Sequence, residues 1–91
     1  MDINHLQDIS KDLQKAFLLL KTKKDVFHFL RDLLTQEEIV ELSQRLDIAQ
    51  RLKRWEIYKK IESETWASST TIARVAKFLN GEFWGYRKAL K

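Results

Sequence analysis

Between residues 54 and 77 the chain carries hydroxyl and basic side chains at spacings that suit contact with a nucleic acid. The basic residues Arg54, Lys59 and Lys60 come first, and they are followed by Ser68, Ser69, Thr70, Thr71, Arg74 and Lys77. Lysine and arginine pair with phosphates, whereas short hydroxyl side chains and a guanidinium can hydrogen-bond to base edges in the major groove. These residue types therefore indicate a site for double-stranded DNA.

The apolar residues of the same stretch predict the helices that would position this site. They recur at i, i+3, i+4 and i+7, at Ile72, Val75, Ala76 and Leu79. This spacing is typical of a helix with one buried face. Thr65 to Ser68 separate it from a shorter helix that contains Ile61, and Ser68 or Ser69 can cap the second helix. The pattern is that of a helix-turn-helix, although two short amphipathic helices joined by a serine-rich turn also occur in domains that bind no DNA.

The charge of the chain is unevenly distributed. Residues 1–44 contain six Lys or Arg and eight Asp or Glu, whereas residues 45–91 contain eleven and five. The basic excess therefore coincides with the predicted helix-turn-helix, as expected for a phosphate-binding half joined to a neutral or acidic scaffold. The alternative is a solvated basic surface without a partner.

Composition excludes several classes of protein. The chain has 91 residues, no proline, no cysteine and only two glycines, and it lacks strand-like alternation. We therefore predict one small all-α domain without a disulfide or a zinc-thiolate site. No apolar run reaches the length of a membrane span, and residues 1–10 do not resemble a signal peptide, so we expect a cytoplasmic protein. His5 and His28 lack metal-ligand spacing, and no catalytic motif is visible, so neither a metal site nor an enzyme is expected.

The N-terminal third predicts two strongly apolar helices. One helix is expected over Ile3–Lys21, and a second follows a Thr22 cap that is paired with Asp25. Both carry apolar residues on more than one side, and such helices must be covered on more than one side. We expect a second subunit to provide the cover, which predicts a homodimer; the alternative is a monomeric bundle.

A long central helix and a short tail complete the predicted chain. Thr35 and Glu38 form a capping-box pattern, and the helix that they begin is expected to run to about Arg54. After the helix-turn-helix, Asn80 and Gly81 predict a left-handed helix cap, and the tail is expected to form a last short helix. The single domain at 1–91 would then comprise a scaffold and dimerisation region at 1–55, the helix-turn-helix at 56–80 and the tail at 81–91.

Three stretches of this sequence resemble the Trp repressor superfamily, within it the Trp-repressor-like YerC/YecD group of bacterial regulators. They are LLTQEEIVELSQRLDIAQRLKR, YKKIESETWASSTTIARVAKFLN and GEFWGY. The resemblance implies an all-helical, intertwined homodimer that represses transcription by placing two helix-turn-helix units in successive major grooves. It also implies a phosphate contact at Lys59 and a recognition helix that begins at Ser69, Thr70 and Thr71, with Arg74 one turn further on.

The same resemblance raises the question of an effector. Contacts to L-tryptophan in the founding member would correspond to Thr35, Arg45 and Arg74, but Val75 stands where that member has glycine. The β-branched side chain of Val75 would intrude on an indole-sized slot, so no cofactor is expected. A tryptophan-gated repressor remains one alternative. Another is a protein-interaction module without DNA binding, anchored by aromatic side chains at Phe78, Phe83, Trp84 and Tyr86.

All three tryptophans stand where the resembling sequences favour glycine. Trp66 lies in the predicted turn, where a bulky residue would adopt a left-handed conformation only at a cost. One hypothesis is that Trp55, Trp66 and Trp84 are encoded by UGA codons that are read as glycine in the source. The other is that this lineage uses tryptophan.

Overall fold

The computed structural model describes residues 1–90 and contains α-helices without any strand in that range. The helices are α1 (Ile3–Ile9), α2 (Lys11–Leu18), α3 (Lys23–Leu33), α4 (Gln36–Lys53), α5 (Tyr58–Thr65), α6 (Ser69–Leu79) and α7 (Gly85–Ala89). The predicted all-α class is therefore confirmed. Over these residues, none of the helices is long and apolar enough to cross a membrane. The chain divides into two compact units, residues 1–36 and 37–91.

The first unit contains α1, α2 and α3, and its first two helices correct a prediction. A single helix over Ile3–Lys21 was expected, but the helix is interrupted at Ser10. The Ser10 hydroxyl donates to the Leu6 carbonyl at 2.8 Å, and the Gln14 amide donates to Ser10 Oγ at 2.9 Å. Serine competes for backbone groups in this way, and apolar spacing does not reveal that competition.

Local hydrogen bonds and one aromatic contact order the rest of the first unit. The predicted Thr22 cap of α3 is confirmed, since its hydroxyl accepts from the Asp25 N–H at 3.0 Å. The Phe17 and Phe29 rings meet edge to face with centroids 5.2 Å apart. None of the three helices contains a buried residue. His28 is exposed.

The second unit holds the apolar core. Its buried side chains come from α4, α5, the following turn and α6, at Ile48, Ala49, Ile61, Ala67, Ile72 and Val75. Leu52, Tyr86 and Leu90 pack against this cluster, so α7 also contributes to it. The predicted buried face of the second helix of the helix-turn-helix is therefore present, with Ala76 only half-buried.

The end of α6 differs from the prediction. Asn80 has φ −96° and Gly81 does not have a positive φ, so neither residue forms the expected left-handed cap. Instead, the Asn80 N–H and side-chain amide both donate to the Ala76 carbonyl, at 3.1 and 3.0 Å. Arg87 then donates to the Leu79 carbonyl at 3.0 Å and holds α7 against this end. The predicted short helix in the tail is confirmed.

Candidate nucleic-acid interface

Helices α5 and α6 form a two-helix unit whose inner side is the core of the second unit. Ile61 on α5, Ala67 in the turn, and Ile72 and Val75 on α6 are buried in one cluster. Because these side chains fix both helices to α4, the orientation of the outer surface is set by packing rather than by α5 and α6 alone. Burial of the inner side leaves the opposite side of α6 to solvent.

The turn between α5 and α6 is held by side chains of both α4 and α5. The Thr65 hydroxyl donates to the Ile61 carbonyl at 2.6 Å and accepts from the Ala67 N–H at 3.3 Å. The Gln44 amide on α4 donates to the Thr65 carbonyl at 2.9 Å. The bonds to the Thr65 carbonyl and the Ala67 N–H satisfy backbone groups that the end of α5 leaves unpaired, and they hold the turn before α6.

Ser68 caps α6, as the sequence predicted for Ser68 or Ser69. Its hydroxyl oxygen accepts from the Thr71 N–H at 3.1 Å and lies 3.0 Å from the Thr71 hydroxyl. Thr71 is half-buried, whereas Ser69 and Thr70 are exposed. The two exposed hydroxyls are therefore better placed for an external partner than the hydroxyl of Thr71, which is engaged within the helix.

The outer face of α6 is polar at its beginning and basic further on. Ser69, Thr70, Arg74 and Lys77 are all exposed. The Arg74 guanidinium lies 5.5 Å from the Phe78 ring centre, and the Lys77 ammonium lies 6.0 Å from it. Phe78 was not among the predicted DNA-binding residues, yet it supports both cations. Its place four residues after Arg74 was the available sequence signal.

The basic residues before α6 are not equally available. Arg54 donates to Glu56 at 3.1 Å, and the Lys60 ammonium lies 3.9 Å from the same carboxylate. Lys59 is exposed and forms no ion pair within residues 1–90. Sequence reasoning grouped these three cations together, but the structure places Arg54 and Lys60 against an acid, whereas Lys59 has no such ion pair among the described residues.

Glu56 is the centre of an ion-pair network that sequence reasoning missed. Arg51 bonds to Asp47, Glu56 and Glu64, and so joins the end of α4 to α5. The hydrogen bond from Arg54, aided by the nearby positive charges of Lys60 and Arg51, holds the pKa of Glu56 below its usual value. The bond to Glu64 is the main cause that raises the pKa of Arg51 further. The Asp47–Arg51 and Glu56–Lys60 pairs have the local i,i+4 spacing, but no local pattern reveals the bond from Arg51 on α4 to Glu64 on α5.

The residues considered for an effector have different environments. Thr35 is exposed just before α4, Arg45 is half-buried on α4, and Arg74 is exposed on α6. The Val75 side chain is 2% exposed and belongs to the apolar core cluster.

An exposed apolar groove lies beside α6. Its volume is about 700 Å³, and its lining includes Leu46, Phe78, Phe83 and Tyr86. Leu46, on α4, is exposed. The groove is therefore an apolar surface that the second unit leaves uncovered.

Taken together, a capped helix-turn-helix on an apolar core defines the chain as an all-helical protein of the helix-turn-helix class. Comparison with known proteins identifies the family. A family model described as Trp repressor protein matches residues 7–91. The chain belongs to this family, which is one of regulators rather than enzymes.

Individual relatives agree with this assignment. The chain is 41% identical to the uncharacterized YerC protein of Bacillus subtilis, over 99% of this chain and 88% of YerC. A Staphylococcus aureus structure solved as a Trp repressor candidate superposes with a TM-score of 0.87 at 36% identity, over 99% of this chain and 91% of the other. A TrpR-like protein from Eubacterium eligens gives 0.86 at 36% identity, over 94% and 90%. The predicted resemblance and fold are therefore confirmed.

Proposed function

We propose that this protein is a transcriptional repressor that binds specific DNA sequences as a homodimer, with α6 as the recognition helix. The observation that carries the proposal is the division of α6 into two faces. Ile72 and Val75 fix one face in the core, while Ser69, Thr70 and Arg74 are exposed on the other. A recognition helix needs this combination, because short side chains allow close approach to base edges.

Each exposed group has a distinct role in the proposed complex. Ser69 and Thr70 hydrogen-bond to bases near the start of α6, and Arg74 pairs with a guanine. Lys59 and Lys77 contact phosphates, to which Arg54 and Lys60 add positive charge from their positions beside Glu56. Phe78 limits the freedom of the Arg74 side chain, so less entropy is lost when the guanidinium binds.

The homodimer is supported by apolar surface that one copy leaves uncovered. In the first unit the exposed apolar side chains include Ile9, Leu18 and Leu19. In the second unit the apolar groove lined by Leu46, Phe78, Phe83 and Tyr86 is also open. A second copy that covers both surfaces would bury more apolar area than one chain can bury alone.

Tryptophan is not required in this proposal. The residue after Arg74 is Val75, whose β-branched side chain belongs to the apolar core cluster. This position therefore lacks the open space that a glycine would leave. We therefore propose that the protein binds DNA without L-tryptophan.

The test is a fluorescence-anisotropy titration with duplex DNA at two salt concentrations, with and without L-tryptophan. We expect tight binding whose log–log dependence on salt has a slope of about −5 to −7, since ~6–8 phosphates are neutralised per dimer. Binding only in the presence of L-tryptophan would show a tryptophan-gated repressor instead.

Variants separate base readout from phosphate attraction. Lys59→Ala should weaken binding to all sequences and reduce the salt slope, whereas Arg74→Ala should reduce the preference for a selected operator. Lys24→Ala removes the same charge from exposed α3 and serves as the control, with little expected effect. If Lys24→Ala weakens binding as much as Lys59→Ala does, the attraction is general and the proposed interface is wrong.

The apolar groove is the one observation that favours a second function, a protein-interaction module. If duplex DNA is not bound under either salt condition while Phe83→Glu abolishes association with a protein partner, that module replaces the repressor. Self-association that is lost in Phe83→Glu, together with DNA binding in the unaltered protein, supports the dimeric repressor.

A further inference from the structure

The three tryptophans share an unusual backbone conformation. Trp55 has φ 65°, Trp66 has φ 63° and Trp84 has φ 61°, and they are the non-glycine residues with positive φ within residues 1–90. They are also all the tryptophans of the chain. Only a few per cent of non-glycine residues adopt this left-handed region, and bulky residues are rarer there than Asn or Asp. The two encoded glycines, Gly81 and Gly85, do not have a positive φ.

At Trp55 the hydrogen bonds explain why the conformation is needed. The Trp55 N–H donates to the Leu52 carbonyl at 3.0 Å, and the Glu56 N–H donates to the Arg51 carbonyl at 3.1 Å. This pair of bonds is the Schellman motif, which ends a helix with a left-handed residue that is usually glycine. The geometry at residue 55 is therefore that of a glycine cap on α4.

Trp66 stands at the corresponding position after α5. Its N–H donates to the Glu62 carbonyl at 3.0 Å, which is the single bond of the αL cap, again a motif that favours glycine. Trp84 has the same conformation immediately before α7. Three separate helix boundaries thus place tryptophan where the backbone favours the residue without a Cβ.

Burial of the indoles does not offset the cost at these positions. Trp55 and Trp66 are each 91% exposed, and Trp84 is 52% exposed. Tryptophan in folded proteins is on average well buried, and its large apolar surface normally contributes stability through that burial. Trp55 and Trp66 lie outside the core, so they carry the backbone strain without a comparable gain from packing. Trp84 is less exposed, and the Arg87 guanidinium lies 4.8 Å from its ring centre.

We infer that residues 55, 66 and 84 are glycine in the protein as its source organism makes it. The tryptophans would come from UGA codons, which some genetic codes read as tryptophan and others as glycine. A single codon reassignment accounts for all three positions at once, and for the absence of tryptophan from every other kind of position. The native protein would then contain no tryptophan, and its surface at the two turns and before α7 would lack the indoles.

The direct test is peptide mapping by mass spectrometry of the protein purified from the cells that encode it, together with the sequence of its gene. We expect UGA at each of the three codons, and peptides lighter by the difference between a tryptophan and a glycine residue. A UGG codon, or an unshifted peptide, at any position overturns the inference for that position.

A stability measurement tests the conformational argument independently. In the recombinant tryptophan-containing protein, Trp55→Gly and Trp66→Gly should each raise the melting temperature by about 4–8 °C, because the left-handed strain is removed. Trp55→Ala and Trp66→Ala are the matched controls, since they remove the indole but keep a Cβ. A rise as large in the alanine variants as in the glycine variants would show that the indole, and not the conformation, is unfavourable.

Discussion

The helices of residues 1–36 and those of residues 37–90 both place apolar side chains three and four positions apart. In the second region these side chains meet, and Ile48, Ile61 and Ile72 are completely buried. In the first region α1–α3 contain no buried residue, and Leu18 remains 85% exposed. The same sequence pattern therefore yields a core in one region and an uncovered apolar surface in the other.

The difference shows what amphipathic periodicity means physically. It states that a face has to be covered, but it does not state which molecule provides the cover. In the second region α4 covers the helix-turn-helix within one chain. For the first region we propose a second copy, and the comparison can be tested by changing residues in each region.

The largest effect is expected from a core residue of the second region. Ile72→Ala should lower the free energy of unfolding by about 2–5 kcal/mol, because a buried side chain is replaced by a cavity. Chemical denaturation measures the change. The control is Ile9→Ala on exposed α1, studied at a concentration where the protein is monomeric, and an equal loss there would remove the distinction between the regions.

A smaller effect, on dimer formation, is expected when a negative charge is introduced into the first region. Leu18→Glu should weaken dimer formation by about 1.5–3 kcal/mol, since an exposed leucine would no longer be buried against a second copy. Sedimentation equilibrium over a range of concentrations measures this, with Lys15→Gln on the same helix as the control that changes the net charge by the same amount. If the dimer is as tight with Leu18→Glu as without it, that part of the first region is not an interface.

The two helix caps offer a matched pair of still smaller changes. Ser68→Ala and Thr22→Ala each remove a hydroxyl that accepts from the N–H three residues later, at a cost of about 1 kcal/mol. In the second region the cost should appear as a lower unfolding midpoint. In the first region, studied with the protein as a monomer, the cost of losing the Thr22 hydroxyl should appear mainly as faster hydrogen exchange in α3, because that helix is not fixed to a core. Equal shifts of the midpoint would indicate that the two regions unfold as one.

The smallest expected effect is on how the melting temperature depends on pH. The ion pairs of Glu56 lower its pKa from 4.5, so the folded state binds this proton less tightly than the unfolded state does. The stabilisation is therefore present above about pH 4.5 and is lost as the pH falls through the folded-state pKa. Glu56→Gln should melt at a lower temperature than the unaltered protein at neutral pH but at a similar one near pH 3. A difference that does not change with pH would mean that Glu56 acts through packing rather than charge.

Much of the candidate site could be predicted because its determinants are local. The apolar spacing of Ile72, Val75 and Leu79 correctly indicated the buried face of α6, and the hydroxyl of Ser68 correctly indicated its cap. The spacing also implied that Ser69, Thr70 and Arg74 would be exposed. The roles of these residues in DNA binding, and the homodimer itself, stay predictions until they are measured.

The incorrect predictions about helix ends have a common cause. The interruption at Ser10 depends on a side chain that competes for the Leu6 carbonyl, and the missing left-handed cap at Gly81 depends on Asn80. Each of these features depends on which hydrogen-bond partner a backbone group takes, and a pattern of residue types does not show that.

The sequence by itself determined the helical class and the apolar face and cap of the second helix of the helix-turn-helix, because local residue spacing specifies them. It also determined the family, because three matching stretches occur in it in order. Only the tertiary structure decided that Arg51 on α4 engages Glu64 on α5, that Gln44 holds the turn before α6, and that all three tryptophans have left-handed conformations. Ion pairs between elements and the dihedral angles at helix ends depend on how the packed helices meet, and that geometry emerges only when the core forms.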